Sequence, residues 1–369
     1  MLAAKLPDEG ADFTCPSRGR RLRRGCDRGA VGTGASSGEI HVATRCLSRR
    51  HPASSPVRGG LRGCCGALGV TTNHPLGDLT GKGITPMIQR EQETYGYEPF
   101  TRHAFYQEVN RTLVQRTIEA LKPPPDRDTT IVDLGCGTGA VTEMVVEALS
   151  ARDVQASIVA VDPAAEQLAS ARSRLAGSPA DIRFVQGDAS ALSSLTGKAD
   201  VLILSNAIHL VHDKDSTIGQ IAAAVAPGGL FAFNSAFFSG AYVDGTENFY
   251  RLWTIRAMRW LRAERPEVRL ARDAKAMAMQ WLTPGDYEAH LERNGFEVVS
   301  RTLDEALMTL ESFQDIGHYW LFIEGALPGA PLDAGAEALH HGVAEIFEQQ
   351  GLTGVPRNWL QVVARRATP

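Results

Sequence analysis

The chain is poor in cysteine where it is best organised. Of its six cysteines, five (Cys15, Cys26, Cys46, Cys64 and Cys65) fall within residues 1–86, and only Cys136 lies beyond them. The five form no Cys-x-x-Cys pair, which argues against zinc. Their odd number, with no secretory apolar core, argues against a disulfide scaffold. A single cysteine in the remaining chain suits a reducing compartment, so a cytoplasmic location is expected. Long apolar runs are missing too. The longest candidate, residues 228–242, is interrupted by Asn234, Ser235 and Ser239, so no membrane span is expected. Neither sign of charge is in large excess: the net charge of the 369 residues is −4, and nothing global points to nucleic acid.

Aromatics are almost absent from residues 1–86, which hold Phe13 alone beside 15 of the 36 glycines and a local excess of 13 Lys+Arg over 6 Asp+Glu. Such a segment buries too little apolar surface to offset its ordering entropy, and disorder is expected. Three readings stay open for it. It is a dispensable or untranslated stretch ahead of a start at Met87, an Arg- and Ser-rich targeting peptide, or a basic binding arm.

What is present centres on Ile131-Val132-Asp133-Leu134-Gly135-Cys136-Gly137-Thr138-Gly139. Branched and apolar residues give a buried strand, the three glycines a turn without Cβ atoms, and Ala140 to Leu149 a helix with apolar spacing. A glycine turn at a helix N-terminus is a nucleotide-type cofactor site. Gly135, Gly137 and Ala140 satisfy the dinucleotide pattern, which leaves a nicotinamide-dependent oxidoreductase as one alternative. Asp133 points elsewhere. An acid two residues before the first glycine suits a positively charged amino group and sits badly against a pyrophosphate.

Strands over 130–134, 157–161, 181–185, 200–204 and 230–234 alternate with helices, the pattern of a doubly wound parallel sheet. A helix is expected over 100–121 and two more over 237–279. A marked helix start follows at Thr283-Pro284, then a strand over 296–302, two helical stretches, and a last strand over 359–364 pairing antiparallel with 296–302. The fold expected is α/β: a Rossmann-like seven-stranded sheet with a reversed last strand and helical lid insertions.

The D-x-G-x-G-x-G spacing, with Asp162 ending the second strand, Asp188-Ala189 after the third, Ser205-Asn206-Ala207-Ile208-His209 after the fourth and Pro227-Gly228-Gly229 before the fifth, resembles the class I S-adenosylmethionine (SAM)-dependent methyltransferases. The likeness is to their small-molecule, type 11/12-like group. It covers about residues 95–369 and implies a domain over 87–369 with caps at 236–281 and 303–356. It also implies SAM as cofactor, held by Asp133, Gly135, Gly137, Gly139, Asp162, Asp188, Ala189 and Asn206. Asp162 would take the ribose hydroxyls, and Asp188 with the Ala189 N–H the adenine. The implied reaction is in-line transfer of the sulfonium methyl to a small, partly apolar acceptor whose atom, O, N or C, stays open.

His209 is the candidate base if the acceptor keeps a proton, and Tyr97, His318 and Tyr319 are candidates for the acceptor pocket. His209-x-x-His212 beside Asp213 has no third ligand, so no metal is expected. The stretch after the fourth strand lacks the Asn/Asp-Pro-Pro-aromatic run of amino-methylating nucleic-acid enzymes, the cysteine of cytosine carbon-5 enzymes and the paired glutamates of protein arginine enzymes. The arginines at 256, 259, 262 and 265 read either as a solvated helix face or as a lid that attracts an acidic acceptor or a membrane surface. A non-catalytic SAM-binding protein of the same fold is the second alternative.

Overall fold

The computed structural model describes residues 94–192, 198–271 and 281–368. The expectations for residues 1–86, for a start at Met87 and for a second helix ending at 279 lie outside them.

A short helix α1 (Glu98–Thr101) leads into α2 (Ala104–Ala120). The single helix expected over 100–121 is broken, because His103 is extended. There follow β1 (Thr130–Leu134), α3 (Ala140–Ser150), β2 (Ser157–Asp162), α4 (Ala165–Arg174), β3 (Asp181–Gln186), β4 (Ala199–Leu204), α5 (Lys214–Ala224) and β5 (Val225–Ser235). The rest is α6 (Glu247–Glu264), α7 (Pro284–Arg293), β6 (Phe296–Met308), α8 (Leu310–His318), α9 (Trp320–Ala326), α10 (Leu332–Gln350) and β7 (Val355–Arg366). The sheet runs β3-β2-β1-β4-β5-β7-β6, and β7 alone is reversed, antiparallel to β5 and β6. The seven strands and the reversed last strand are those expected from the sequence.

The near-continuous apolar strands are buried on both faces. Ile131, Ile158, Val201 and Ile203 pack under α2 and α3. Val132, Leu202, Phe231 and Phe233 pack on the side of α5 and α7. Pro227-Gly228-Gly229 is a bulge inside β5, since Ala199 pairs with Val225 while Val201 pairs with Leu230. At α7 the Thr283–Asp286 capping box is complete.

Two boundaries differ from expectation. β6 runs on to Met308 and β7 begins at Val355, so 303–308 is strand and not the start of a helical stretch. The run Leu303-Asp304-Glu305-Ala306-Leu307-Met308 has little intrinsic strand preference. Its pairing with 355–360 decides the outcome, burying Ala306 and Met308 and leaving Leu303 and Leu307 exposed.

α6, α8, α9 and α10 build a second core with Trp359 and the ends of β6 and β7. Trp253, Phe313 and Leu339 lie at its centre, and Trp253 Nε1 donates to the Leu339 carbonyl at 2.7 Å. The basic side of α6 faces α10 in part. Arg256 pairs with Glu345, and Arg265 with Glu337 at 2.7 Å and Asp333 at 3.6 Å. Those two arginines are therefore engaged within the cap. Among the described residues no helix is long and apolar enough to cross a membrane.

Candidate functional site

The strand order reverses between β1 and β4, and ligands of doubly wound sheets bind at the carboxyl ends of the strands there. The glycine loop occupies that point. Gly135, Gly137 and Gly139 have φ of 72°, 52° and 83°, a region that only glycine enters without strain. A Cβ on Gly139 would meet Ala171 and Leu175 of the neighbouring segment at 3.1–3.3 Å, so that residue is fixed by packing. A Cβ at Gly135 or Gly137 would make only ordinary contacts, at 3.8–4.0 Å, so these two are set by their backbone conformation and not by packing.

Three carboxylates line up beside the loop along this edge. Asp162 accepts from the Gly137 N–H and the Ala164 N–H, both at 2.9 Å. It thus ties the end of β2 to the loop while keeping lone pairs for a ligand. Asp188, after β3, is exposed and accepts from the Ser190 N–H at 2.8 Å. Asp133 is buried beneath the loop, 1% exposed, and takes a hydrogen bond from the Thr142 hydroxyl at 2.6 Å. Burial pushes its carboxyl up to about 6, against the pull of that hydrogen bond.

Residues 131–229 match the family described as a methyltransferase domain. The match runs from β1 to the bulge of β5. Over that stretch, about a quarter of the chain, the sequence is that of a methyltransferase domain. Trans-aconitate 2-methyltransferase of Paracidovorax citrulli is 39% identical over 103 residues, 28% of this chain and 36% of that protein. Malonyl-[acyl-carrier protein] O-methyltransferase of Halalkalibacterium halodurans is 29% identical over 143 residues, 38% of this chain and 48% of that protein. The chain thus spans between about a third and a half of the length of these curated relatives. A solved structure of Haemonchus contortus phosphoethanolamine N-methyltransferase 2 with S-adenosyl-L-methionine covers 75% of this chain and 57% of its own, at 16% identity and a TM-score of 0.43.

The methyltransferase domain fits SAM on two observations. The loop offers bare backbone at Gly135 and Gly137. A buried carboxylate with a raised pKa, and with no cationic partner among the described residues, lies beneath it, where an ammonium group would favour its ionised form. The sequence candidates Asp133, Gly135, Gly137, Asp162, Asp188 and Asn206 all fall along the edge formed by β3, β2, β1 and β4. Asn206 stands apart in one respect: its side chain is already engaged. Held at φ 51°, it donates to Asn110 Oδ1 at 3.0 Å and accepts from Trp359 Nε1 at 3.1 Å.

Beyond Asn206 lies a cavity of about 100 Å³ lined by Tyr97, Asn206, His209, Phe237, Tyr319 and Phe322, among others. Three sequence candidates, Tyr97, His209 and Tyr319, meet here. His318 does not: it is exposed and its ring lies against that of Tyr95, centroids 4.5 Å apart. His209 is 5% exposed, and burial drops its pKa to about 3, helped by the nearby charges of Lys214 and Arg357. The buried Ser235 hydroxyl accepts from the Phe237 N–H at 2.9 Å and is hydrogen-bonded to His209 Nδ1 at 3.1 Å. The His209 ring is therefore neutral and held in place at one nitrogen, and it is a weak base at neutral pH.

Sequence reasoning missed three groups. Glu98 of α1 accepts from the Thr138 hydroxyl at 2.6 Å and from Arg174 at 2.9 Å, tying the N-terminal segment to the glycine loop. Asn110, fully buried in α2, joins Ser205, Asn206 and Asn234 in one polar cluster. A polar residue on a helix face of Tyr106, Leu113, Val114 and Thr117 was the available signal. The third is Arg357 of β7, 5% exposed, whose Nε and Nη2 both donate to the Ala236 carbonyl. Its guanidinium lies 5.1–5.9 Å from the rings of Phe237, Tyr242, Tyr250 and Trp281. Burying a cation costs several kcal/mol. Cation–π contacts return about 0.5–2 kcal/mol each. Among the described residues no carboxylate pairs with it.

Proposed function

We propose that the protein transfers a methyl group from SAM to a small, partly apolar acceptor by in-line displacement. The observation that carries this reading is the adjacency of the two halves. The aromatic cavity holding His209 opens beside Asn206, at the end of β4, next to the glycine loop at the end of β1. SAM supplies an electrophilic methyl group on a sulfonium sulfur. The chain's own residues do the positioning. Asp133 favours the cationic amino group, Asp162 receives the ribose hydroxyls, and Asp188 and the Ala189 N–H take the adenine. Tyr97, Phe237 and Tyr319 exclude water and face the acceptor with apolar surface. His209 orients it as a neutral ring, so the reaction suits an acceptor that needs no strong base. The relatives named for trans-aconitate and for malonyl-[acyl-carrier protein] support an acceptor of metabolite type. A cytoplasmic setting is supported by Cys136, buried and free.

The test is transfer of radiolabelled methyl from SAM into a source-cell extract, with products separated into small-molecule, protein and nucleic-acid fractions. Label in the small-molecule fraction is expected. Label confined to protein or nucleic acid would overturn the acceptor class, and SAM binding without label would favour a non-catalytic role.

A further inference from the structure

Arg357 is the feature that methyl transfer leaves unexplained. It sits on β7 three residues before Leu360, which pairs with Ser235 at the end of β5. It therefore projects past the carboxyl edge of the sheet, on the side of the site. Two adjoining cavities meet there. The His209 cavity shares Tyr97, Phe237, Ile316 and Phe322 with a second one of about 20 Å³, which Arg357 lines together with Tyr250 and Trp359. Phe237 stands between the two: its ring lies 4.5 Å from that of His209 and 5.2 Å from the Arg357 guanidinium.

The chemistry of this second cavity is one-sided. Its lining holds no Asp or Glu and no other Lys or Arg. Two of the five guanidinium N–H groups are spent on one carbonyl. The Tyr242 ring stacks on Tyr250 at 4.2 Å beside the cation, with its hydroxyl in reach of the guanidinium, and the Tyr250 hydroxyl is buried without a hydrogen-bond partner among the described residues. A buried cation without a carboxylate and a buried hydroxyl without a partner thus share one small cavity.

We propose that Arg357 anchors a carboxylate of the methyl acceptor, with Tyr250 as a further donor, while the acceptor's apolar body lies in the His209 cavity. The inference rests on the methyltransferase reading of that site. A carboxylate fits better than a phosphate. The planar fork matches two coplanar oxygens, the space admits a head group of only one or two water-sized units, and a single cation balances a single charge. The aromatic box raises the discrimination, because an acid that enters uncharged or an amide leaves the guanidinium as poorly paired as before. Arg357 is thus a specificity-determining residue, and the acceptor class is an apolar carboxylic acid.

The test uses the full chain saturated with S-adenosylhomocysteine. Phenylacetate, 3-phenylpropanoate and octanoate are titrated by calorimetry, each against its primary amide. At least one acid is expected to bind about tenfold or more tighter than its amide, the discrimination of a charge-assisted pair. In Arg357→Met that preference collapses while S-adenosylhomocysteine affinity is retained, and Arg357→Lys keeps part of it. If Arg357→Met fails to fold, Tyr250→Phe is expected to lower the preference severalfold. Equal binding of acids and amides, or a preference that survives Arg357→Met, overturns the anchor and leaves Arg357 a strut for the Ala236 carbonyl. Failure of the wild type to bind S-adenosylhomocysteine at all strikes the methyltransferase reading instead, so the two failures are distinguishable.

Discussion

Asp133 gives the sharpest test of the cofactor site, because its two proposed effects have opposite signs. With nothing bound, its carboxyl titrates near 6 against an ordinary 3.8. Its folded pKa lies above the unfolded one, so ionising it opposes folding. The penalty is absent below about pH 4, grows between 4 and 6, and is fully present above 6. It amounts to about 1–3 kcal/mol at pH 7. Asp133→Asn keeps an acceptor for the Thr142 hydroxyl, at 2.6 Å in the wild type, and removes the charge. The variant is therefore expected to melt higher than wild type at pH 7, with the gain vanishing near pH 4. An ammonium group above the loop favours the ionised form, so ligand affinity runs the other way. Below pH 6 the ligand must displace a proton, and affinity falls toward about tenfold per pH unit. Calorimetric titration of S-adenosylhomocysteine at pH 5, 6, 7 and 8, in buffers of different ionisation enthalpy, reads both affinity and proton release. At pH 5 binding should be about tenfold weaker than at pH 7, with close to one proton released, and Asp133→Asn should bind weakly at every pH. A flat affinity from pH 5 to 8 in the wild type would refute the reasoning, because a carboxylate facing a bound cation cannot be indifferent to its own protonation.

Asp162→Ala should weaken SAM binding by more than about tenfold, since it removes the proposed ribose acceptor and the strut to the Gly137 N–H. Unchanged calorimetric affinity would remove Asp162 from the ribose. For His209, the pKa near 3 predicts a turnover rate with no inflection near 6.5, and His209→Ala should slow turnover while sparing SAM affinity. Its depressed pKa also means stability is lost as pH falls from 6.5 toward 3, by about 1–3 kcal/mol at pH 4, a loss that melting curves of His209→Ala should not show. Asn110→Ala deprives Asn206 Nδ2 and Asn234 Nδ2 of an acceptor within 3.0 Å. We expect it to cost about 2–4 kcal/mol in chemical denaturation, and a loss under about 0.5 kcal/mol would mean that water replaces the amide.

The cofactor half was legible because its signals are local. Three glycines at alternate positions, an acid two residues ahead and a β-branched strand before a helix fix a loop whatever the rest of the chain does. The acceptor half was not, because its decisive residues are placed by long-range pairing. Arg357 lies in Val355-Pro356-Arg357-Asn358, where a proline and a charge read as a solvated approach to a strand. Only pairing with 305–308 and the bridge to Tyr242 carry that stretch into the cap. The misjudged run 303–308 and the missed arginine are therefore one error, because each strand exists through the other. The arginines that stood out in sequence, at helical spacing on α6, include two that pair with the acids of α10. Arg357, a buried arginine without a carboxylate among the described residues, was hidden by its unremarkable setting. A buried charge announces itself through what surrounds it, and for Arg357 those surroundings come from the loop after β5, from α6 and from the segment before α7, between 76 and 121 residues away in the chain.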